Sequence, residues 1–205
     1  MPGLFITFEG GDGSGKSTQA ELLSEWLTGQ GRTVVRSREP GGTDLGLELR
    51  EIVLHRRGHI AARAEALIYA ADRAHNIATK VRPAVEHGDI VIQDRYLDSS
   101  VAYQGAGRVL DPAEVRGISL WATEGFLPDL SILLDLDETI GRERLDAGNK
   151  RYDRLESEES DFHARVRAGY LQLAAAEPER FLVLPATDPI ESIATAIRER
   201  VSTLV

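Results

Sequence analysis

GGDGSGKS, residues 10–17, fills the pattern G-x-x-x-x-G-K-[ST] and lies between the apolar run Leu4-Phe5-Ile6-Thr7-Phe8 and a stretch with the spacing of an amphipathic helix. Strand, glycine-rich turn and helix in that order make a phosphate-binding loop. Glycines at 10, 11, 13 and 15 open backbone dihedrals closed to other residues, so that consecutive N–H groups turn inward as a nest for phosphate oxygens. The positive end of the following helix adds to the field. The expected nucleotide-binding set is Gly10, Gly11, Asp12, Gly13, Ser14, Gly15, Lys16, Ser17 and Thr18. Lys16 supplies a mobile charge for the β- and γ-phosphates, and the Ser17 hydroxyl suits Mg²⁺, so a nucleoside triphosphate with magnesium is the expected ligand. Asp12 is awkward there, because phosphates repel a carboxylate unless it serves a cation or a hydroxyl donor; it is expected to face away, toward a second substrate.

Beyond the loop, apolar periodicity and turn signals predict strands near 4–8, 33–37, 90–92, 130–136 and 181–184. Helices are predicted near 16–29, 44–55, 61–87, 97–104, 112–124, 138–146, 158–176 and 189–202. Pro83 should kink or restart the third of these, and Asp111-Pro112 reads as an N-cap followed by a first helical position. Short apolar runs alternating with helices indicate an α/β fold with a parallel sheet covered on both faces. With 205 residues and no repeat or linker, residues 1–205 read as one domain.

Composition narrows the function. The chain has no cysteine, which leaves no disulfide framework and no thiolate metal site. No run approaches a membrane span, and a soluble, cytoplasmic protein is expected. The net charge of −9 argues against a broad basic surface for nucleic acid. Positive charge is instead local, at Arg36, Arg38, Arg50, Arg73 and Arg95, then at Arg142, Arg144, Lys150, Arg151 and Arg154. Small anionic ligands fit that distribution.

A second constellation, Gln93-Asp94-Arg95-Tyr96, follows the strand Ile90-Val91-Ile92, where ligands gather outside the carboxyl ends of strands. Asp94 is placed to act through magnesium, and Arg95 can grip a phosphate with its planar fork. The structural alternative is that the two side chains pair with each other or cap a helix.

DRYLDSSVAYQGAGR at 94–108, with REPGGT at 38–43, YAADRAH at 69–75 and DRLE at 153–156, resembles the bacterial thymidylate kinases, in order and spacing from about residue 4 to residue 197. The resemblance implies a P-loop kinase fold with a five-stranded parallel sheet, a mobile lid near 141–156, a homodimer, and transfer of the ATP γ-phosphoryl group to dTMP on the way to dTTP. It also implies roles. Tyr69 stands where the family usually has a phenylalanine stacked on thymine, Arg73 where a thymine carbonyl is read, and Arg50 and Arg95 where the monophosphate is held. Ser99, Ser100, Tyr103 and Gln104 match positions around the thymine and deoxyribose, and Asp12 the acid near the acceptor sugar. Gly13 replaces the loop arginine of some members; in that subtype the arginine comes from the lid, with Lys150, Arg151 and Arg154 as candidates and Arg154 foremost. Lys16, Arg95, Arg154 and Asp12 form the expected catalytic set, with Ser17 and Asp94 for the metal. Tyr69 as a core aromatic and Arg73 paired with Asp72 or another acid stay open as structural uses.

Two rivals remain. One is a P-loop kinase for another monophosphate or a small metabolite. The other is a nucleotide-dependent switch, but the guanine-reading N-K-x-D is lacking, since Asn149-Lys150-Arg151-Tyr152 ends without its aspartate.

Overall fold

The computed structural model describes residues 3–56, 58–147 and 153–205. Its centre is a parallel sheet of β1 (Leu4–Glu9), β2 (Val34–Arg38), β3 (Ile90–Asp94), β4 (Leu130–Asp135) and β5 (Phe181–Pro185), in the order β2-β3-β1-β4-β5. Leu4, Ile6 and Phe8 of β1 point to one face and pack with Leu23 and Leu27 of α1 (Lys16–Gly29) and Ile193, Ile197 and Val201 of α9 (Ile190–Ser202). Phe5 points to the other face, against Ile77, Val81, Tyr96 and Leu97. A strand covered on both sides reads as a near-continuous apolar run, which is why β1, β3 and β4 were legible.

On that second face lie α2 (Asp44–Arg50), α3 (Ala62–Asn76), α4 (Arg82–His87), α5 (Leu97–Ser100), α6 (Pro112–Ala122) and α8 (Ser160–Ala176); α7 (Glu138–Ala147) follows β4. Three helices run on through wide π-helical turns, at Glu51–His55, Ile77–Val81 and Val101–Gly107. The second of these leads directly into α4, whose first turn holds Pro83, so the proline restarts the helix as expected from its missing N–H. Asp111 caps α6, its Oδ1 accepting from the Ala113 N–H at 2.8 Å.

The strand order decides where ligands bind. The chain leaves β1 toward β2 on one side and later crosses to β4 on the other, so the carboxyl ends of β1 and β3 open at a topological switch point. Register pairs Phe8 with Asp94, and the Arg95 N–H donates to the Phe8 carbonyl at 2.9 Å. The phosphate loop and the Asp94-Arg95 pair, eighty-odd residues apart in sequence, thereby become neighbours.

Candidate active site

The loop leaves β1 at Glu9 and enters α1 at Lys16. Gly10, Gly13 and Gly15 take positive φ (129°, 77° and 88°), whereas Gly11 does not, a correction to the expectation that all four glycines are needed for such angles. Gly13 is also sterically required, since a Cβ there would lie 2.6 Å from the Gly141 carbonyl oxygen of α7. A side chain as long as arginine has no place at 13 while α7 packs on the loop.

Lys16 Nζ lies 2.8 Å from the Gly11 carbonyl and 3.1 Å from that of Gly10, two acceptors a phosphate can replace. Burial and the nearby Arg95 charge lower its pKa. Arg95 is the hub of the site. Its Nη1 donates to the Gly10 carbonyl (3.0 Å), Tyr170 OH (3.2 Å) and Ser99 Oγ (3.3 Å), and its Nη2 to Asp12 Oδ1 (2.6 Å) and Tyr103 OH (3.2 Å). Its guanidinium also sits 4.9 Å from the Tyr103 ring centroid. Asp12 therefore serves a cation, as its charge required. Burial opposes its ionisation, yet Arg95 and Lys16 outweigh that and hold its pKa at about 2.

Asp94 does not pair with Arg95. Its Oδ1 is buried without a hydrogen-bond partner, and it lines the same cleft as Ser17. An orphaned carboxylate oxygen in the same cleft as an exposed hydroxyl of the phosphate loop suits a hard cation that keeps several waters.

That cleft, about 620 Å³, runs from Gly13, Gly15, Lys16, Ser17 and Thr18 across to Tyr69, Arg73, Ser99, Ser100, Tyr103 and Gln104. Lys16, Arg38, Arg50, Arg73, Arg95 and Arg144 line it together with the acids Asp12, Glu39, Asp94, Asp153 and Glu156, so the cations needed for an anionic ligand are present and several are already paired with acids. Ser14 is buried in the loop, and Gly10 and Gly11 face a smaller cavity of about 200 Å³ against α7 and α8. Arg50 donates to the Pro40 carbonyl at 2.9 Å.

Arg73 pairs with Glu39 (2.8 Å), not with Asp72. It also donates to Ser119 Oγ (3.0 Å), the Tyr96 carbonyl (3.1 Å) and Ser100 Oγ (3.1 Å), which leaves one N–H of its fork uncommitted. It is thus a buried strut that still borders the cleft. Tyr69, also buried, packs with Val53, Leu54 and Leu155 while lining the cleft wall, so the core and ligand-facing readings are both met by one ring. Gln104 Nε2 is held by Glu65 Oε1 at 2.9 Å.

Arg154 departs from its expected place. Its Nε donates to the Val53 carbonyl (2.8 Å), its Nη2 is 2.6 Å from Glu65 Oε2, and it does not line the cleft. It shares with Arg108 the fully buried carboxylate of Glu65. Lys150 and Arg151 lie outside the described residues. Among the described residues of the segment 141–156, Arg144 bonds to the carbonyls of Gly13 (3.2 Å) and Ala186 (3.0 Å).

Sequence reasoning missed the buried acids Glu9 and Glu39 and the phenol of Tyr170. The signals were faint: an acid ending an apolar strand, an acid before Pro40, and a tyrosine at i+8 from Phe162 on a helical face. Burial is the largest influence on Glu39 and, against the opposing charge of Arg73, pushes its pKa up to about 7. A folded pKa above the unfolded value of 4.5 means stability that is full below that pH and lost as pH rises toward about 7. Asp12 acts in the opposite sense, but only below about pH 4. The thermal midpoint of the free protein is expected to fall by several degrees between about pH 5 and 7.5, since about 1 kcal/mol moves a chain of this size by about 2–4 °C. Glu9, whose pKa burial likewise raises to about 7, contributes with the same sign, so calorimetry across that range checks the two buried acids together; a flat or rising midpoint contradicts both shifts.

Comparison with known proteins settles the family. A sequence model described as thymidylate kinase matches residues 8–197. The chain belongs to the thymidylate kinase family. It is 73% identical over 199 residues to the thymidylate kinase of Leifsonia xyli subsp. xyli, covering 97% of this chain and 94% of that one. It is 68% identical over 205 residues to that of Clavibacter sepedonicus, covering 100% and 97%. The crystal structure of thymidylate kinase from Ehrlichia chaffeensis superposes with a TM-score of 0.80 at 29% identity, over 98% of this chain and 99% of that one. As a member of the thymidylate kinase family the chain is a kinase, and its five-stranded sheet with flanking helices is the P-loop kinase fold. The rival switch reading ends there.

Proposed function

We infer that this member of the thymidylate kinase family transfers the γ-phosphoryl group of ATP to dTMP, giving dTDP, in the cleft between the phosphate loop and the Tyr69–Arg73 wall. One observation carries the reading: Lys16, Arg95 and Asp12 converge where β1 and β3 end, midway between a triphosphate cradle and a wall of aromatic and polar side chains. The acceptor is already an anionic phosphate oxygen, so the chemistry asks for no strong base. The barrier lies in bringing two anions together and in charge moving to the β–γ bridge, and positioned cations lower it.

Each residue then has a task. The loop N–H groups and Lys16 hold the ATP phosphates. Arg95, with Arg50, holds the monophosphate, and its planar fork aligns that group with the γ-phosphoryl. Ser17 and Asp94 Oδ1 would hold Mg²⁺, which when bound supplies charge neutralisation between the two phosphate chains. Tyr69 offers its ring face to thymine, while Arg73, Ser100 and Gln104 offer polar contacts to the base edge. Tyr103 packs where a ribose 2′-hydroxyl would lie. Asp12, braced on Arg95, faces the acceptor sugar. Arg144 is the lid cation nearest the loop.

A homodimer is supported by the exposed Leu67 on α3 and Trp121 on α6, 56% and 85% accessible, on helices tied together by the Arg63–Glu114 pair at 3.0 Å. Use of ATP supports a cytoplasmic setting. No helix among the described residues is long and apolar enough to cross a membrane.

The test is a coupled assay of ADP release with dTMP, dUMP, dCMP, dGMP and dAMP, run with and without a chelator, on a preparation sized by sedimentation. Strong dTMP-dependent turnover with stoichiometric dTDP, lost on chelation, from a species of twice 22.5 kDa is expected. Preference for another monophosphate would overturn the base-pocket roles; turnover surviving chelation would overturn the metal site, and a 22.5 kDa species the dimer.

A further inference from the structure

We propose that Glu9 is a positioning residue for phosphoryl transfer, a buried anchor that orients the Arg95 guanidinium through Ser99 and Tyr170. The inference rests on the role given to Arg95 above and extends it to a residue that neither binds nucleotide nor faces the cleft.

Glu9 ends β1 and is fully buried. Its Oε1 accepts from the Tyr96 N–H at 2.8 Å, while the preceding N–H, that of Arg95, donates to Phe8 at 2.9 Å. Two consecutive residues of β1 therefore clamp the two N–H groups that flank the Arg95 α-carbon. The clamp matters because Arg95 has φ 67°, the left-handed region that a long side chain rarely adopts. Such a conformation persists only where neighbouring contacts enforce it.

The other oxygen controls hydrogen-bond direction. Glu9 Oε2 accepts from Ser99 Oγ at 2.6 Å and from Tyr170 OH at 3.1 Å. Those same hydroxyl oxygens receive Arg95 Nη1, at 3.3 and 3.2 Å. Each hydroxyl has one hydrogen, and the two oxygens are themselves hydrogen-bonded at 2.6 Å; with a carboxylate behind them, one hydrogen goes to Glu9 and the other is kept between the hydroxyls or on Glu9, so neither need point at the guanidinium. Glu9 sets that polarity at one remove from the reacting groups. Folding alone does not ask for an acid here, since burial, and next the charge of Asp98, push its pKa up to about 7.

Glu9→Gln keeps the shape and reverses the direction. The amide oxygen must stay on the Tyr96 N–H, so the amide nitrogen donates to Ser99 and Tyr170 and turns a hydroxyl hydrogen toward Arg95. The expected result is a kcat at saturating ATP and dTMP lower by about tenfold or more, KM for ATP within about twofold, and an undiminished thermal midpoint. Tyr170→Phe should give a smaller loss, and the double variant should be no slower than Glu9→Gln alone, because both act through one network. Wild-type kcat in a folded Glu9→Gln protein, or losses that multiply in the double variant, would overturn the proposal. If Glu9→Gln does not fold, Ser99→Ala with Tyr170→Phe removes the same two acceptors, and an unchanged kcat there is equally fatal. Unchanged kcat in these variants alongside an active parent removes only the role of Glu9; a parent inactive on dTMP removes the functional reading itself.

Discussion

Arg95→Ala is expected to lower dTMP turnover by about a thousandfold or more while leaving the thermal midpoint near that of the parent. The backbone cost at φ 67° is borne by alanine as by arginine, so the substitution reports on the side chain. What disappears is a fork with contacts on both sides, Gly10, Ser99 and Tyr170 at one nitrogen and Asp12 and Tyr103 at the other. That geometry fixes a plane of positive charge between the two phosphate groups, and a lysine cannot reproduce it. Arg95→Lys should therefore recover little. The loss also has a second part. Asp12 is kept ionised by Arg95 and Lys16, so removing Arg95 leaves a carboxylate beside the phosphates. Adding Asp12→Asn to Arg95→Ala should recover ATP affinity without recovering kcat. Steady-state kinetics with an ATP titration separate the two parts; turnover within about tenfold of the parent would remove Arg95 from the mechanism.

Lys16→Ala should cost turnover about a thousandfold as well, with ATP affinity falling more than in Arg95→Ala. Its ammonium, only 7% of the residue being exposed, is held by the Gly10 and Gly11 carbonyls, poised at the mouth of the loop. Exchange of those carbonyls for phosphate oxygens is favourable because the burial that lowers its pKa also strengthens its attraction for an anion. Alanine keeps α1 intact, since the helix starts here and needs no side chain at this position to begin. The contrast with Arg95→Ala lies in the binding step, since the proposed function gives Lys16 to the donor and Arg95 to the acceptor and the transferred group. Single-turnover ADP release with and without dTMP distinguishes them, and near-parental rates for Lys16→Ala would sink the assignment.

Much of this was written locally in the chain. A strand covered on both faces has to be apolar, a phosphate nest has to be glycine-rich, and a helix after it has to begin near Lys16; each demand falls on neighbouring residues. GGDGSGKS, the five apolar runs and the Asp111-Pro112 cap are read from such short-range demands. Sequence also predicted that Asp12 would need a cation or a hydroxyl donor, and it has both, Arg95 and the Tyr103 hydroxyl. Which cation is a matter of register, because Phe8 pairs with Asp94 and so sets Arg95 beside the loop. Arg154 and Arg144 make the same point in reverse. Both lie in the segment 141–156 that the resemblance implies is a lid, and only Arg154 was expected at the phosphates, yet the buried Glu65 on α3 pairs with Arg154 while the packing of Gly141 on Gly13 brings Arg144 to the loop. Glu9, Glu39 and Tyr170 were hidden for the same physical reason: an ionisable or phenolic group becomes functional through what surrounds it after burial. Local propensity determined the elements and the glycine-rich loop of this protein, and only the pairing of β3 beside β1 and the packing of the helices on that sheet decided which charges meet.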